Sequence, residues 1–227
     1  MEINDALKTT GSIREYSNEP VSDAVLYDIL DTARFAPSGG NRQAWKVIVV
    51  KDASQRMKIR DIYLDAWHDY ISHLLAGVIP FSPLASEADR QAALAQRSAA
   101  EAISKPDGFP ETLQNVPIML VICADLEILA ALDRDLDRYQ IVGGASLYPF
   151  VWNILLAARE HDLGGVMTTV AIKNEQQIMD VLEIPSTFAV ASIVTLGHPQ
   201  KRHTKLKRRN VQDFTTIDSF NGDVFKN

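Results

Sequence analysis

The sequence predicts an α+β protein in which helices cover a few-stranded sheet. Three observations carry this. Short β-branched apolar runs occur three times, at Lys46–Val50, Ile118–Ala124 and Val190–Leu196, far apart along the chain. Segments with a helical repeat outnumber them. No G-x-G-x-x-G turn follows the first strand, which counts against a Rossmann domain. A chain of 227 residues can bury a sizeable core as one domain, and residues 1–227 are read that way.

Residues 2–9 read as a short helix. Ser22 is suited to cap a second one, with Val25, Leu26, Ile29, Leu30 and Ala33 at helical spacing. That helix stops in Ala36–Asn41, a run of breakers. A helix carrying Met57, Ile62, Leu64, Trp67, Ile71 and Leu74 follows the first strand. Residues 76–115 hold Gly77, Pro80, Pro83, Pro106, Gly108 and Pro110 around a polar helical piece at 85–103, and read as a variable, lid-like segment. Gly143–His161 reads as a long central helix, with Leu147, Val151, Ile154, Leu155 and Ala158 on one face. Tyr148 and Trp152 lie on the others, so it is expected to be buried all round. Asn174–Glu183 is a last short helix. Residues 210–227 should fray, yet they carry Val211, Phe214, Ile217, Phe220, Val224 and Phe225. A regularly apolar tail calls for a surface to lie on, and a partner subunit is the natural one.

The formal charge is −6, which argues against a general nucleic-acid binder. Residues 201–209 (KRHTKLKRR) nonetheless hold six of the 23 Lys and Arg and no acid. The single cysteine, Cys123, excludes an intramolecular disulfide framework, and in an apolar run it reads as an inert buried thiol. No apolar run is long enough to span a bilayer. Acids rather than a basic start follow Met1, so the expected location is the cytoplasm. Asp133, Asp135 and Asp137 mimic a calcium loop, but Arg138 and Gly144 stand where its Gly and Glu belong. The trio reads as a solvated charged turn with Arg134 and Arg138.

Three segments and the basic run could make an anionic cofactor site. Ser12 and Arg14 pair a hydroxyl with a forked, permanent cation, a combination suited to phosphate. Pro37, Ser38, Gly39, Gly40 and Asn41 form a turn whose glycines let a flat ligand approach the backbone, with Asn41 and Gln43 supplying amides. Leu163–Thr169 follows the long helix as a cap and loop.

Together these resemble the FMN-dependent nitroreductase family over nearly the whole chain. The motifs are Ser12-Ile13-Arg14-Glu15-Tyr16, Ala36-Pro37-Ser38-Gly39-Gly40-Asn41-Arg42-Gln43-Ala44-Trp45, the turn Asp162-Leu163-Gly164-Gly165, and Leu196-Gly197-His198-Pro199 followed by the basic run. The resemblance implies a mostly antiparallel sheet and a homodimer whose C-terminal extension wraps the partner, with FMN at the interface. It also implies that Ser12, Arg14, Lys207 and Arg208 hold the FMN phosphate, with Lys205 and Arg209 as further candidates. Pro37, Ser38, Gly39 and Asn41 would line the flavin, and Met167, Thr168 and Thr169 would give backbone contacts near its reactive edge. Thr10 and Gly11 precede Ser12 where the family usually has another Arg, which shifts weight to the C-terminal cluster. The implied activity is ping-pong transfer from NAD(P)H through FMN to a nitroaromatic, quinone or flavin, with no acid–base dyad. Oxidase, dehydrogenase or dehalogenase chemistry on the same fold, a non-catalytic flavin binder, and an acidic interaction protein with an anion-binding tail are the competing readings.

Overall fold

The computed structural model describes residues 2–226; Met1 and Asn227, the two ends of the expected domain, lie outside the described residues. The chain runs α1 (Ile3–Thr9), α2 (Asp23–Ala33), β1 (Trp45–Val49), α3 (Ala53–Leu75), α4 (Glu87–Leu94), α5 (Arg97–Ala102), β2 (Ile118–Asp125), α6 (Tyr148–Ala157), β3 (Gly164–Thr168), α7 (Glu175–Leu182) and β4 (Phe188–Gly197). The four strands form one antiparallel sheet in the order β1-β2-β4-β3.

Alternation along β2 separates two cores. Ile118, Leu120 and Ile122 face α2 and α6, in a layer with Phe150, Ile154, Val194 and Leu196. Met119, Val121 and Cys123 face α3 and α7, with Tyr63, Ile178 and Ile193. Both faces are covered, so β2 reads as an unbroken apolar run rather than an alternating one. Burial pushes the Cys123 thiol up to about 11, which keeps it protonated and unreactive at neutral pH.

Local chemistry sets the helix starts. The Ser22 hydroxyl accepts from the Val25 amide at 3.3 Å and the Asp52 carboxylate from the Gln55 amide at 2.8 Å. Ser86 and Asp89 make a reciprocal capping box on α4. The segment 76–115 folds back onto α3. There Arg97 of α5 pairs with Asp65 at 2.7 Å, Asp69 at 2.6 Å and Glu101 at 2.8 Å, and Lys173 also reaches Asp69.

Four expectations need correction. The long helix at 143–161 is shorter: residues 142–146 and 158–161 are 3-10 turns, and α6 spans only Tyr148–Ala157. Pro149 lacks the N–H that an interior helical position needs, so the α-helix begins beside it. Tyr148 and Trp152 are exposed, not buried. The longest helix is α3, of 23 residues. The stretch read as a loop at 163–169 contains the edge strand β3. Asp133 is not solvated: its carboxylate is buried and accepts from the Ile141 and Val142 amides at 2.7 and 3.1 Å and from Arg138 at 2.9 Å.

Candidate cofactor site

The segment Gly11–Tyr16 lies along the outer edge of β3. Ser12 bridges Gly165 in parallel, and the Ile13 amide donates to the Gly165 carbonyl at 2.9 Å. The two glycines opening β3 make this approach possible. A Cβ on Gly164 would come within 2.8 Å of Ile13 Cγ1, and one on Gly165 within 2.3 Å of the Thr195 carbonyl oxygen. Tyr16 braces the segment from behind, its hydroxyl donating to the Ile13 carbonyl at 2.7 Å and lying 2.7 Å from Thr195 Oγ1; burial raises its pKa. With Ile13 turned inward, Ser12 and Arg14 are exposed.

At the far end of β3, Met167 and Thr169 are exposed, while the buried Thr168 hydroxyl lies 3.1 Å from the Tyr63 hydroxyl. Burial raises the Tyr63 pKa; the nearby Arg14 charge acts against that on Tyr63 and Tyr16 alike. Tyr63 and Trp67 stack at 6.5 Å between centroids, Trp67 and Tyr70 at 5.2 Å, and Phe109 meets Tyr63 edge-on at 6.0 Å. Arg14 lines two adjoining cavities of about 390 and 540 Å³, whose walls share Lys105, Gly108 and Phe109.

The basic run reaches the same edge from the other end of the chain. Pro199 bridges Tyr16, and the Gln200 amide donates to the Glu15 carbonyl at 3.1 Å. Arg202 donates to the carbonyls of Asp162 and Leu163 at 2.9 and 3.2 Å, so this member of the cluster holds the turn into β3. His203 and Leu206 pack where Gly11 has no side chain. Lys205, Lys207, Arg208 and Arg209 are exposed, and among the described residues none pairs with a carboxylate. The structure therefore brings the basic run beside Ser12. Residues 201–209 take no part in the two cavities that Arg14 lines.

The loop Pro37–Asn41 stands apart, at the opposite edge of the sheet before β1. The Ser38 hydroxyl accepts from the Gln43 amide at 2.9 Å, and the Gly39 amide donates to Ser146 Oγ at 3.0 Å. Gly40, Asn41 and Gln43 have φ of 60°, 53° and 52°, with the right-handed Arg42 between the last two, and these left-handed residues break the chain direction before Trp45 stacks on Phe150 at 4.7 Å. Three strand spacings, roughly 14 Å, separate β1 from β3. One chain thus presents the two halves of the expected site on opposite edges. Tyr63, Trp67, His68 and Phe109 join the β3 side although the sequence reading assigns none of them to the site; the aromatic spacing 63, 67, 70 on α3 is the available signal.

The donor set fits FMN. Unpaired cations and a free-standing hydroxyl suit a phosphate, and the bare, exposed backbone at Gly39–Asn41 suits a flat ring.

An antiparallel α+β sheet with these segments on its two edges defines the class. The sequence matches the nitroreductase family over residues 7–198, and the chain belongs to that family. An FMN reductase [NAD(P)H] of Bacillus subtilis is 24% identical over 91% of this chain and 70% of its own length. Human iodotyrosine deiodinase 1 is 24% identical over 92% and 65%. Among solved structures, a BluB-like flavoprotein from Clostridium difficile superposes with a TM-score of 0.68 at 19% identity, covering 96% of this chain and all 100% of that one. Iodotyrosine deiodinase bound to FMN and 3-iodo-L-tyrosine gives 0.66 at 19% identity, covering 96% and 100%. Among the described residues no helix is long and apolar enough to cross a membrane.

Proposed function

We propose that this chain is an FMN-dependent oxidoreductase using NAD(P)H as reductant and an organic acceptor such as a nitroaromatic, quinone or flavin. The observation that carries this reading is the row of unpaired cations beside Ser12, on a nitroreductase-family chain. Ser12, Lys207 and Arg208 would hold the phosphate with Arg14 nearby, and Met167–Thr169 would offer backbone groups to the ring. When bound, FMN would supply the redox chemistry that links NAD(P)H to the acceptor, in ping-pong order. The side chains need only bind and orient the cofactor and neutralise its phosphate, while backbone N–H groups at the ring would oppose the charge that accumulates there on reduction.

The two sheet edges support a site completed by a second copy. Pro37, Ser38, Gly39 and Asn41 of one protomer would lie against the ring held by the other's β3 edge, in a homodimer. The apolar tail supports the same arrangement: Phe214, Ile217, Phe220, Val224 and Phe225 are exposed, Phe220 at 94%. Packed on a partner, such a tail would wrap it.

The test is anaerobic mixing of the purified protein with NADPH and with NADH. A yellow protein that bleaches with either supports the proposal. A colourless protein, or a yellow one that neither nucleotide bleaches, overturns it.

A further inference from the structure

The 390 Å³ cavity beneath α5 is lined by Trp67, Ile71, Ala100, Ile103, Phe109 and Pro110, and is thus largely apolar and aromatic. His68 also lines it, and its Nε2 is buried without a hydrogen-bond partner among the described residues. A buried ring nitrogen with nothing to bond costs stability, and such a group in a cavity wall calls for a partner from outside the chain. The remaining polar wall is Arg14, Lys105, Ser104 and Glu111. Glu111 is already engaged, accepting from the Ser104 hydroxyl and from the Lys105 amide at 2.9 Å. Arg14 and Lys105 pair with no carboxylate among the described residues. The wall therefore combines aromatic faces, two cations and an imidazole nitrogen without a partner.

The geometry points to this cavity as the binding site of an aromatic oxyanion, an arene carboxylate or phenolate, with its ring against Trp67 and Phe109 and its oxygen accepting from His68 Nε2. The site adjoins the proposed cofactor wall through Arg14, and the inference deepens the proposed function by naming a class of acceptor. His68 is then a specificity-determining residue. Neutral aromatics of the same shape fill the apolar wall but leave the cations and the imidazole unpaired.

The experiment is calorimetric titration of the full chain, as purified, with 4-nitrobenzoate and with the neutral isostere 4-nitrobenzamide. At least tenfold tighter binding of the carboxylate is expected. His68→Leu should bring the two probes to within about threefold, and His68→Gln, which keeps a donor, should restore part of the preference. Because Nε2 has no partner in the protein, His68→Leu should melt no lower than the parent; a lower melting temperature together with an unchanged anion preference would show a structural role and overturn the inference. Equal binding of the two probes by the parent also overturns it. Anion preference in a flavin-free preparation upholds this site while removing the proposed function. A flavin-loaded protein that bleaches with NAD(P)H but shows no preference does the reverse.

Discussion

The Tyr63 hydroxyl lies 3.1 Å from that of Thr168, which ties the middle of α3 to the last residue of β3. Both side chains are buried. The bond fixes where β3 ends and therefore where Met167 and Thr169 emerge beside Arg14. Tyr63→Phe should cost about 1 kcal/mol, since the ring still fills its place and one buried hydrogen bond is lost. Urea denaturation at neutral pH checks this, with Thr168→Val as the companion change and the double variant measuring the coupling.

Reversing the charge of the two cations proposed for the phosphate gives a second test. Lys207→Glu with Arg208→Glu should remove most bound flavin while leaving the fold intact, because both side chains are exposed. Flavin absorbance per chain is the readout, with circular dichroism as the control. Unchanged flavin content would move the phosphate elsewhere.

The tail gives a third. Truncation after Arg209 removes Val211, Phe214, Ile217, Phe220, Val224 and Phe225 and should turn a dimer into monomers by light scattering. A truncated chain that stays dimeric would show that the tail does not wrap.

Asp133 carries a pH dependence. Hydrogen bonds from the Ile141 and Val142 amides and from Arg138 hold its carboxyl below the ordinary 3.8. A depressed folded value means that the stabilisation is fully present above the unfolded pKa and fades as pH falls through the folded one. Asp133→Asn should therefore flatten the loss of stability below about pH 4, as read from melting temperatures between pH 6 and 3.

Much of the scaffold was legible because its periodicities are strong. Ser22, Asp23–Ala33 and the strands at 46–50, 118–124 and 190–196 fall where the pattern places them, to within a few residues at their ends. The loop at 36–45 and the basic run stand out in sequence as a cluster of breakers and a cluster of cations, and in the fold they lie at opposite edges of the sheet. Strand β3 was not legible: Gly164 and Gly165 look like turn residues, and the close approach of Ile13 and Thr195 that requires them is a tertiary fact. Asp133 was misread for a similar reason. A carboxylate flanked by Arg134 and Asp135 looks solvated until the chain folds two amides onto it. Likewise His68 and Phe109 meet only because 76–115 folds back onto α3.

The seating of Ser12 on Gly165, with Glu15 and Tyr16 held by Pro199 and Gln200, has a consequence for the order of assembly. The amino-terminal strip is made first, yet its platform is β3, and β3 pairs with β4 alone in the sheet. During synthesis the strip must wait, with Ile13 uncovered, until β4 (Phe188–Gly197) has followed it. A nascent chain interrupted before β4 lacks a strand that both cores share and cannot gather the cations. Ligand capture at the proposed phosphate site would thus report a chain made through β4, and a ribosome stalled before residue 188 should display protein that does not capture it.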